Sequence, residues 1–375
     1  MAQLLQEKEQ RLNDPWTRNR LTRWFTERWP HRTHVELSDF AIPKGGASNE
    51  MMAFTVAWRA AGQRKTQRCV LRMEVPGEPI APKLGTWYPT IIEVEHAVQK
   101  ALAARSACPV PPMIGIETSS RTLGRPFYVM GWVAGRIVPT ANPAMDGYLA
   151  DELGPAQRRR LVESAIEAMA KVHQFDWKDT SLAQLGEVGR SKGGGLLSAH
   201  LRAYTSLTMK YLRGADHPLL LAGLDWLSRN EPEPSAPALT WGDARLGNMV
   251  FDDDGNVRAA LDWELAALLP PAMDVAHFLM TDYMVHEVER AGRLPGYPTR
   301  GEQLAHYEQC AGSAARDLGY WEIFCAVKCA YVFLRVVRRM QDQQVLDDRS
   351  EALLHDNFAV HYLADRLGKR DSGLV

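Results

Sequence analysis

Apolar positions change period twice along the chain. Between residues 17 and 29, "TRNRLTRWFTERW" places Leu21, Trp24, Phe25 and Trp29 at helical spacing, which predicts an amphipathic helix packed on the body. From about 33 to 76 the pattern shifts to short strand-like runs, "MMAFTVAW" and "RCVLRMEV", separated by the turn-prone "RAAGQRKTQ", so an antiparallel meander is expected. "PTIIEVEHAVQKALA" returns to helical spacing through Ile91, Val94, Val98, Ala101 and Leu102, and Thr90 with Glu93 forms a capping box at its start. Two further strand-like runs, "MIGIE" and "PFYVMGWV", flank the polar "TSSRTLGR".

Beyond Val133 the pattern is mainly helical. It begins with "RRRLVESAIEAMAKVHQFDW", where Leu161, Val162, Ala165, Ile166, Met169 and Val172 line one face, and includes a Pro-rich connector, "NEPEPSAPA", at 230–238. An α+β chain in two units follows: a small antiparallel sheet plus helix over 1–133, with the N-terminal helix included, and a larger, mainly helical unit over 134–375.

Composition narrows the function classes. The 375 residues are 46% hydrophobic, enough for two cored lobes, and the formal net charge is −1 with no long basic run. No nucleic-acid or anionic-membrane partner is expected. Five cysteines without a C-x-x-C pair indicate reduced thiols rather than a disulfide framework or zinc knuckle. The start, "MAQLLQEKEQRLND", is too charged for a signal peptide, and no stretch approaches the roughly eighteen apolar residues of a spanning helix. A soluble cytoplasmic protein is the expectation. Oligomeric state is not legible.

The chemistry concentrates in "WGDARLGNMVFDDDGNVRAALDWELA". Asp254-Gly255 between apolar runs predicts a hairpin that pairs "MVF" with "VRAAL" and sets Asn248 opposite Leu261 and Asp262. An amide oxygen and a carboxylate on rigid strands suit Mg²⁺, which takes one or two protein carboxylates and completes its shell with phosphates. Asp243 is then left to orient and deprotonate a substrate hydroxyl.

In "CVLRMEV" alternation puts Val70 and Arg72 on one face of a strand. Glu95 falls on the inward stripe of its helix, where a carboxylate needs a cation, and Arg72 is the natural partner. Gly45, Gly46 and Ser48 in "PKGGASNE" offer backbone N–H groups suited to phosphate, although a plain turn would use the same glycines.

"WGDARLGN" followed by "LDWE" and "MDVAHFL" resembles the signature of the aminoglycoside phosphotransferase-type small-molecule kinases, in a variant with Trp-Gly-Asp where the family usually has His-Gly-Asp. The resemblance runs from the glycine loop near residue 45 to the helix after Asp274. It implies a bilobal protein-kinase-like fold with ATP between the lobes and Mg²⁺ as cofactor. Asp243 would be the catalytic aspartate, Arg245 a cation facing the transferred phosphate, and Asn248 and Asp262 metal ligands.

The same resemblance makes Arg72 the phosphate-holding base, in place of the usual lysine, and gives backbone groups near Met130 and Trp132 to the adenine. Asp274 would be structural, hydrogen-bonding back to the catalytic loop. Trp241 would replace the family histidine as a packing brace. Glu264 is expected to cap a helix rather than to reach the metal's surroundings, His173 to be a packed core residue, and the aromatics from Tyr283 to Phe333 to form a helical core rather than line an acceptor pocket.

The resulting expectation is transfer of the γ-phosphate of ATP to a hydroxyl of a small molecule. Because acidic and basic residues nearly balance beyond Ala276, an uncharged or apolar acceptor is favoured over a polycationic aminoglycoside. Arg72 and Trp241, which depart from the family pattern, leave a catalytically inactive, pseudokinase-like nucleotide-binding module as the alternative.

Overall fold

The computed structural model describes residues 14–43, 50–75, 77, 90–139, 147–186, 195–289 and 292–368. Gly45, Gly46 and Ser48 lie outside them.

The first unit is a five-stranded antiparallel sheet, β1 (Thr33–Ala41), β2 (Glu50–Ala60), β3 (Gln63–Met73), β4 (Met113–Glu117) and β5 (Phe127–Gly131), in the order β1-β2-β3-β5-β4. Helix α1 (Pro15–Arg28) is N-capped by Asp14, whose carboxylate accepts from the Thr17 amide at 2.9 Å. Its apolar face, Leu21, Trp24 and Phe25, covers the outer side of the sheet, against Phe54, Cys69, Leu71, Phe127 and Val129. The inner side carries Ala53, Val70, Tyr128 and Met130 and packs on Ile92 of α2 (Ile91–Arg105). The period-2 alternation in β3 thus sends Cys69 and Leu71 under α1 and turns Val70 and Arg72 toward α2. The capping box of α2 forms as expected: the Glu93 amide donates to Thr90 Oγ1 at 3.3 Å, and the Thr90 amide donates to Glu93 Oε2 at 3.1 Å.

The second unit holds α3 (Pro155–His173), α4 (Leu196–Leu212), α5 (Pro218–Arg229), α6 (Ala272–Tyr283), α7 (Arg300–Ala311), α8 (Leu318–Asp342), α9 (Ala352–His355) and α10 (Phe358–Arg366). Two short strand pairs are set among them. β6 (Ala238–Thr240) pairs with β9 (Ala267–Leu269), and β7 (Met249–Phe251) pairs with β8 (Val257–Ala260).

The two large cores meet at α6. Val275, Phe278 and Leu279 join one core with α3 and the β7–β8 hairpin, whereas Met273, Ala276 and Met280 join the other with α4, α5, α8 and α10. A helix apolar on all sides belongs in the interior. Polar residues on it, Asp274, His277 and Asp282, are therefore conspicuous, being buried with the rest. Tyr297, Tyr307, Trp321, Phe324 and Tyr331 are all core residues, as expected.

Candidate active site

The site is built where β6 ends. Gly242 takes φ +85°, and a Cβ there would meet the Leu265 carbonyl oxygen at 2.1 Å, so only glycine lets the chain turn out of the strand. Asp274, fully buried at the start of α6, holds this turn from below: Oδ2 accepts from the Trp241 amide at 2.6 Å and Oδ1 from the Gly242 amide at 2.8 Å. His173 Nε2 lies 3.0 Å from Asp274 Oδ2, and its Nδ1 lies 2.8 Å from the Tyr307 hydroxyl. Burial acts to raise the Asp274 carboxyl, but His173 and the two amides hold it below the ordinary range. Asp274 is structural, and His173 is a hydrogen-bonded core residue.

Asp243 follows directly. Its Oδ2 accepts from Arg245 Nε at 3.0 Å and from Asn248 Nδ2 at 2.7 Å, while Oδ1 lies 2.7 Å from His277 Nε2. Against a burial that acts to raise it, Arg245, the His277 hydrogen bond and nearby Lys328 hold this carboxyl well below its ordinary value. His277 is lowered by burial and by Lys328, so the neutral imidazole donates through Nε2. An ionised carboxylate offers about four acceptor directions. At least three are taken by protein donors.

His277 escaped the sequence reading. Its signal was a polar residue one turn after Asp274 inside an otherwise apolar helix. Lys328 escaped too, although it is the one charged residue in "IFCAVKCAYVFL". It is buried in α8 and donates to the Gly242 carbonyl, so the turn before Asp243 is held at both its amides and its carbonyl.

The hairpin forms close to the expected register. Met249 pairs with Ala260, and the Leu261 amide donates to the Asn248 carbonyl at 2.9 Å. Its loop is one residue longer than a two-residue turn: the Asp252 amide donates to the Asn256 carbonyl, and Asp252 Oδ1 gathers the amides of Asp254 and Asn256. Asn248 turns its amide nitrogen to Asp243, leaving Oδ1 as its metal-capable atom.

Asp262 sits at φ +63°, an uncommon conformation for a non-glycine residue and one that aspartate tolerates better than most. Trp241 fixes the segment. Its indole N–H donates to the carbonyls of Leu261 at 2.8 Å and Asp262 at 3.1 Å, and its ring stacks on Trp263 with centroids 4.7 Å apart. With 0% exposure it is a brace and presents nothing to an acceptor.

Arg72 reaches this segment from the other lobe. Its Nη2 lies 2.5 Å from Glu95 Oε1, 2.8 Å from Asp262 Oδ1 and 3.6 Å from Glu264 Oε2. Burial acts to lower the guanidinium pKa, but the three carboxylates, Glu95 first, hold it well above the ordinary arginine value. The Arg72–Glu95 pair expected from sequence is present. Arg72 also grips Asp262, which sequence spacing gave no means of seeing.

Glu264 corrects an expectation: it caps no helix, since α6 begins at Ala272, and it faces Arg72 instead. The Trp132 amide donates to the Arg68 carbonyl at 2.9 Å and is used within the sheet, which leaves carbonyl groups rather than that amide for the expected adenine contact. Met130 lies inside β5 opposite Val70 and Met113, and Val70 is packed beside it on the inner face.

The donor set fits a divalent cation. Oxygens of Glu95, Asp262 and Glu264 lie within 4.8 Å of one another against one guanidinium, so negative charge exceeds positive. Arg72 Nε and Glu95 Oε2 are buried without a hydrogen-bond partner.

The sequence model of the phosphotransferase enzyme family matches residues 43–312, well over half of the chain. The protein belongs to this family. Among curated proteins it is 28% identical over 300 residues to acyl-CoA dehydrogenase family member 11 of Pongo abelii, across 75% of this chain and 35% of that protein. The chain thus spans about a third of the length of that relative. Among solved structures, a provisionally assigned aminoglycoside phosphotransferase from Ralstonia eutropha superposes with a TM-score of 0.65 at 21% identity, covering 92% of this chain and 98% of the other. A thermostable aminoglycoside phosphotransferase APH(4)-Ia mutant, in ternary complex with AMP-PNP and hygromycin B, superposes with a TM-score of 0.52 at 16% identity, covering 89% of this chain and 97% of that one. These likenesses establish the α+β, protein-kinase-like fold. No helix among the described residues is long and apolar enough to cross a membrane.

Proposed function

We propose that the protein transfers the γ-phosphate of ATP to a hydroxyl of a small molecule, with Mg²⁺ as cofactor. The observation that carries this reading is the Asp243 carboxylate: ionised, oriented by Arg245, Asn248 and His277, with about one acceptor direction left for an incoming hydroxyl. Beside it stands an acidic cluster with room for positive charge.

Asn248 Oδ1 and Asp262 would hold Mg²⁺, with Glu264 adjacent. When bound, the ion neutralises charge on the β- and γ-phosphates. Arg72 fixes Asp262 from the nucleotide side, and Trp241 fixes its backbone. Arg245, anchored on Asp243, faces the transferred phosphoryl group. Val70 and Met130 form the apolar surface of the adenine side.

Asp243 accepts a hydrogen bond from the acceptor hydroxyl and aims its oxygen at the γ-phosphorus. The new O–P bond forms as the bond to the bridging β–γ oxygen breaks. ADP leaves with that electron pair, and the hydroxyl proton passes to Asp243. A carboxyl held far below neutrality is a weak base in the ground state, so proton transfer comes late, in keeping with a loose phosphoryl transition state.

The name of the Pongo abelii relative describes a dehydrogenase, but this chain, which aligns with about a third of it, matches the phosphotransferase family. We therefore read this chain as the phosphotransfer part of that arrangement. The test is ADP release across a panel of hydroxyl compounds with and without Mg²⁺. Metal-dependent turnover lost in Asp243→Asn supports the kinase. Nucleotide binding without Asp243-dependent turnover on any acceptor supports an inactive nucleotide-binding module instead.

A further inference from the structure

Helix α8 turns a row of polar side chains toward α6. Cys325, Lys328 and Cys329 stand at i, i+3 and i+4 in "CAVKC", so they share one face of the helix. Each has a partner on α6 or in the turn after β6. Cys325 Sγ donates to the Met273 carbonyl at 3.3 Å, and Lys328 donates to the Gly242 carbonyl. Cys329 Sγ lies 4.0 Å from His277 Nδ1, the ring nitrogen turned away from Asp243.

The ionisation states give this contact a direction. Burial pushes the Cys329 thiol up to about 12, so sulfur keeps its proton and is a donor. His277 is neutral, its N–H faces Asp243 Oδ1 at 2.7 Å, and Nδ1 therefore carries a lone pair. Cys329 is the partner of that lone pair among the described residues.

A carboxylate beside a histidine ordinarily draws a second proton onto the ring. The charged and titratable groups facing His277 are Asp243, Asp274 one turn earlier on α6, and Lys328 and Cys329 on α8. Burial and Lys328 outweigh the two aspartates. A second proton would also need an acceptor at Nδ1, and a thiol sulfur is a weak one. The consequence falls on Asp243. An imidazolium would neutralise the carboxylate, whereas a neutral ring orients it through one hydrogen bond and leaves its charge for an incoming hydroxyl.

We propose that Cys329 is a positioning residue of the phosphotransfer centre, holding the His277 ring by an S–H···Nδ1 hydrogen bond so that its Nε2–H stays aimed at Asp243. This rests on the kinase reading and adds to it a residue that acts through His277.

Two measurements on the full chain test it. With isotope-labelled histidine, the ring-nitrogen NMR resonances of His277, assigned by their loss in His277→Gln, should show at neutral pH a protonated Nε2 and an Nδ1 that accepts a hydrogen bond. In Cys329→Ala the Nδ1 resonance should move toward that of a free lone pair. A protonated Nδ1 in wild type, or an Nδ1 resonance that Cys329→Ala leaves unmoved, overturns the proposal without reference to turnover.

The second measurement is ADP release with the hydroxyl acceptor that turns over fastest. Cys329→Ala should lower kcat about five- to tenfold with both KM values moving less than about twofold, and Cys329→Ser, which restores a donor, should recover part of the loss. In a His277→Gln background, Cys329→Ala should lower kcat by less than about twofold further, because its effect runs through the ring. Losses that multiply in the double variant, or a Cys329→Ser as slow as Cys329→Ala, overturn the positioning role while the kinase reading stands. If no acceptor supports Asp243-dependent ADP release, both fall.

Discussion

Removing Arg72 exposes how the centre balances charge. Its side chain is 6% exposed and contacts Glu95, which is 0% exposed, so solvent screens the pair little. Taking one partner from such a buried ion pair costs about 3 to 5 kcal/mol. Arg72→Met keeps most of the stem's packing and isolates the charge. Glu95 then has an escape, because burial already pushes its carboxyl well above the ordinary range and Arg72 is the largest influence opposing that shift, ahead of the Tyr128 hydrogen bond. Without the guanidinium it takes up a proton.

The linkage sign follows. A carboxyl with a raised folded pKa makes the folded state bind more protons than the unfolded one, so stability falls as pH rises from the ordinary glutamate value near 4.3 up to the folded pKa. The stability deficit of Arg72→Met relative to wild type should therefore grow as pH rises and Glu95 ionises in wild type before it does in the variant, toward about 3 kcal/mol. Urea unfolding at several pH values measures it. Adding Mg²⁺ should recover more stability in the variant than in wild type, since Asp262 and Glu264 have also lost their cation. A deficit below about 1 kcal/mol that does not vary with pH would refute an ionised, buried Arg72–Glu95 pair.

Two shorter tests address the braces. Trp241→His keeps a ring and an N–H in a fully buried site, so turnover should stay within about tenfold, with a stability loss of about 1 to 3 kcal/mol from the smaller ring; an acceptor KM that moves more than the ATP KM would contradict its role as a brace. His277→Gln should lower kcat by about ten- to a hundredfold with smaller changes in both KM values, the worth of one hydrogen bond to a buried carboxylate. Because burial depresses the folded pKa of His277, its contribution is present above the unfolded value near 6.5 and is lost as pH falls below it, so wild type should lose more stability than the variant over that interval.

Elements with strong periodicity were legible in the sequence. The β3 alternation placed Val70 and Arg72 on the inner face, and the capping box fixed the start of α2, because both depend on local geometry alone. The hairpin register was legible for the same reason, and with it the nearness of Asn248 to Asp262. What sequence spacing could not supply were contacts between distant segments. Arg72 and Asp262 are 190 positions apart, and Lys328 meets Gly242 across 86, so neither pairing has a periodic signature. Glu264 caps no helix because β9 intervenes between it and α6, and the cation it faces, Arg72, lies 192 positions away in sequence.

The site also explains why a buried helix carries an acid and a histidine one turn apart. Asp274 accepts the amides of Trp241 and Gly242, His277 holds the Asp243 carboxylate, and both are rigid because α6 is wedged between the two large cores. Lys328 closes the grip from α8, so the turn that carries Asp243 is held by side chains of both α6 and α8. Asp262 is tied instead to the sheet lobe through Arg72, and to the helical lobe through the Trp241 indole. A shift of one lobe against the other would therefore move Asp262 relative to Arg72 while leaving Asp243 in place. On the proposed kinase reading, the base is set by folding, and the metal-side carboxylate would respond to the seating of nucleotide between the lobes.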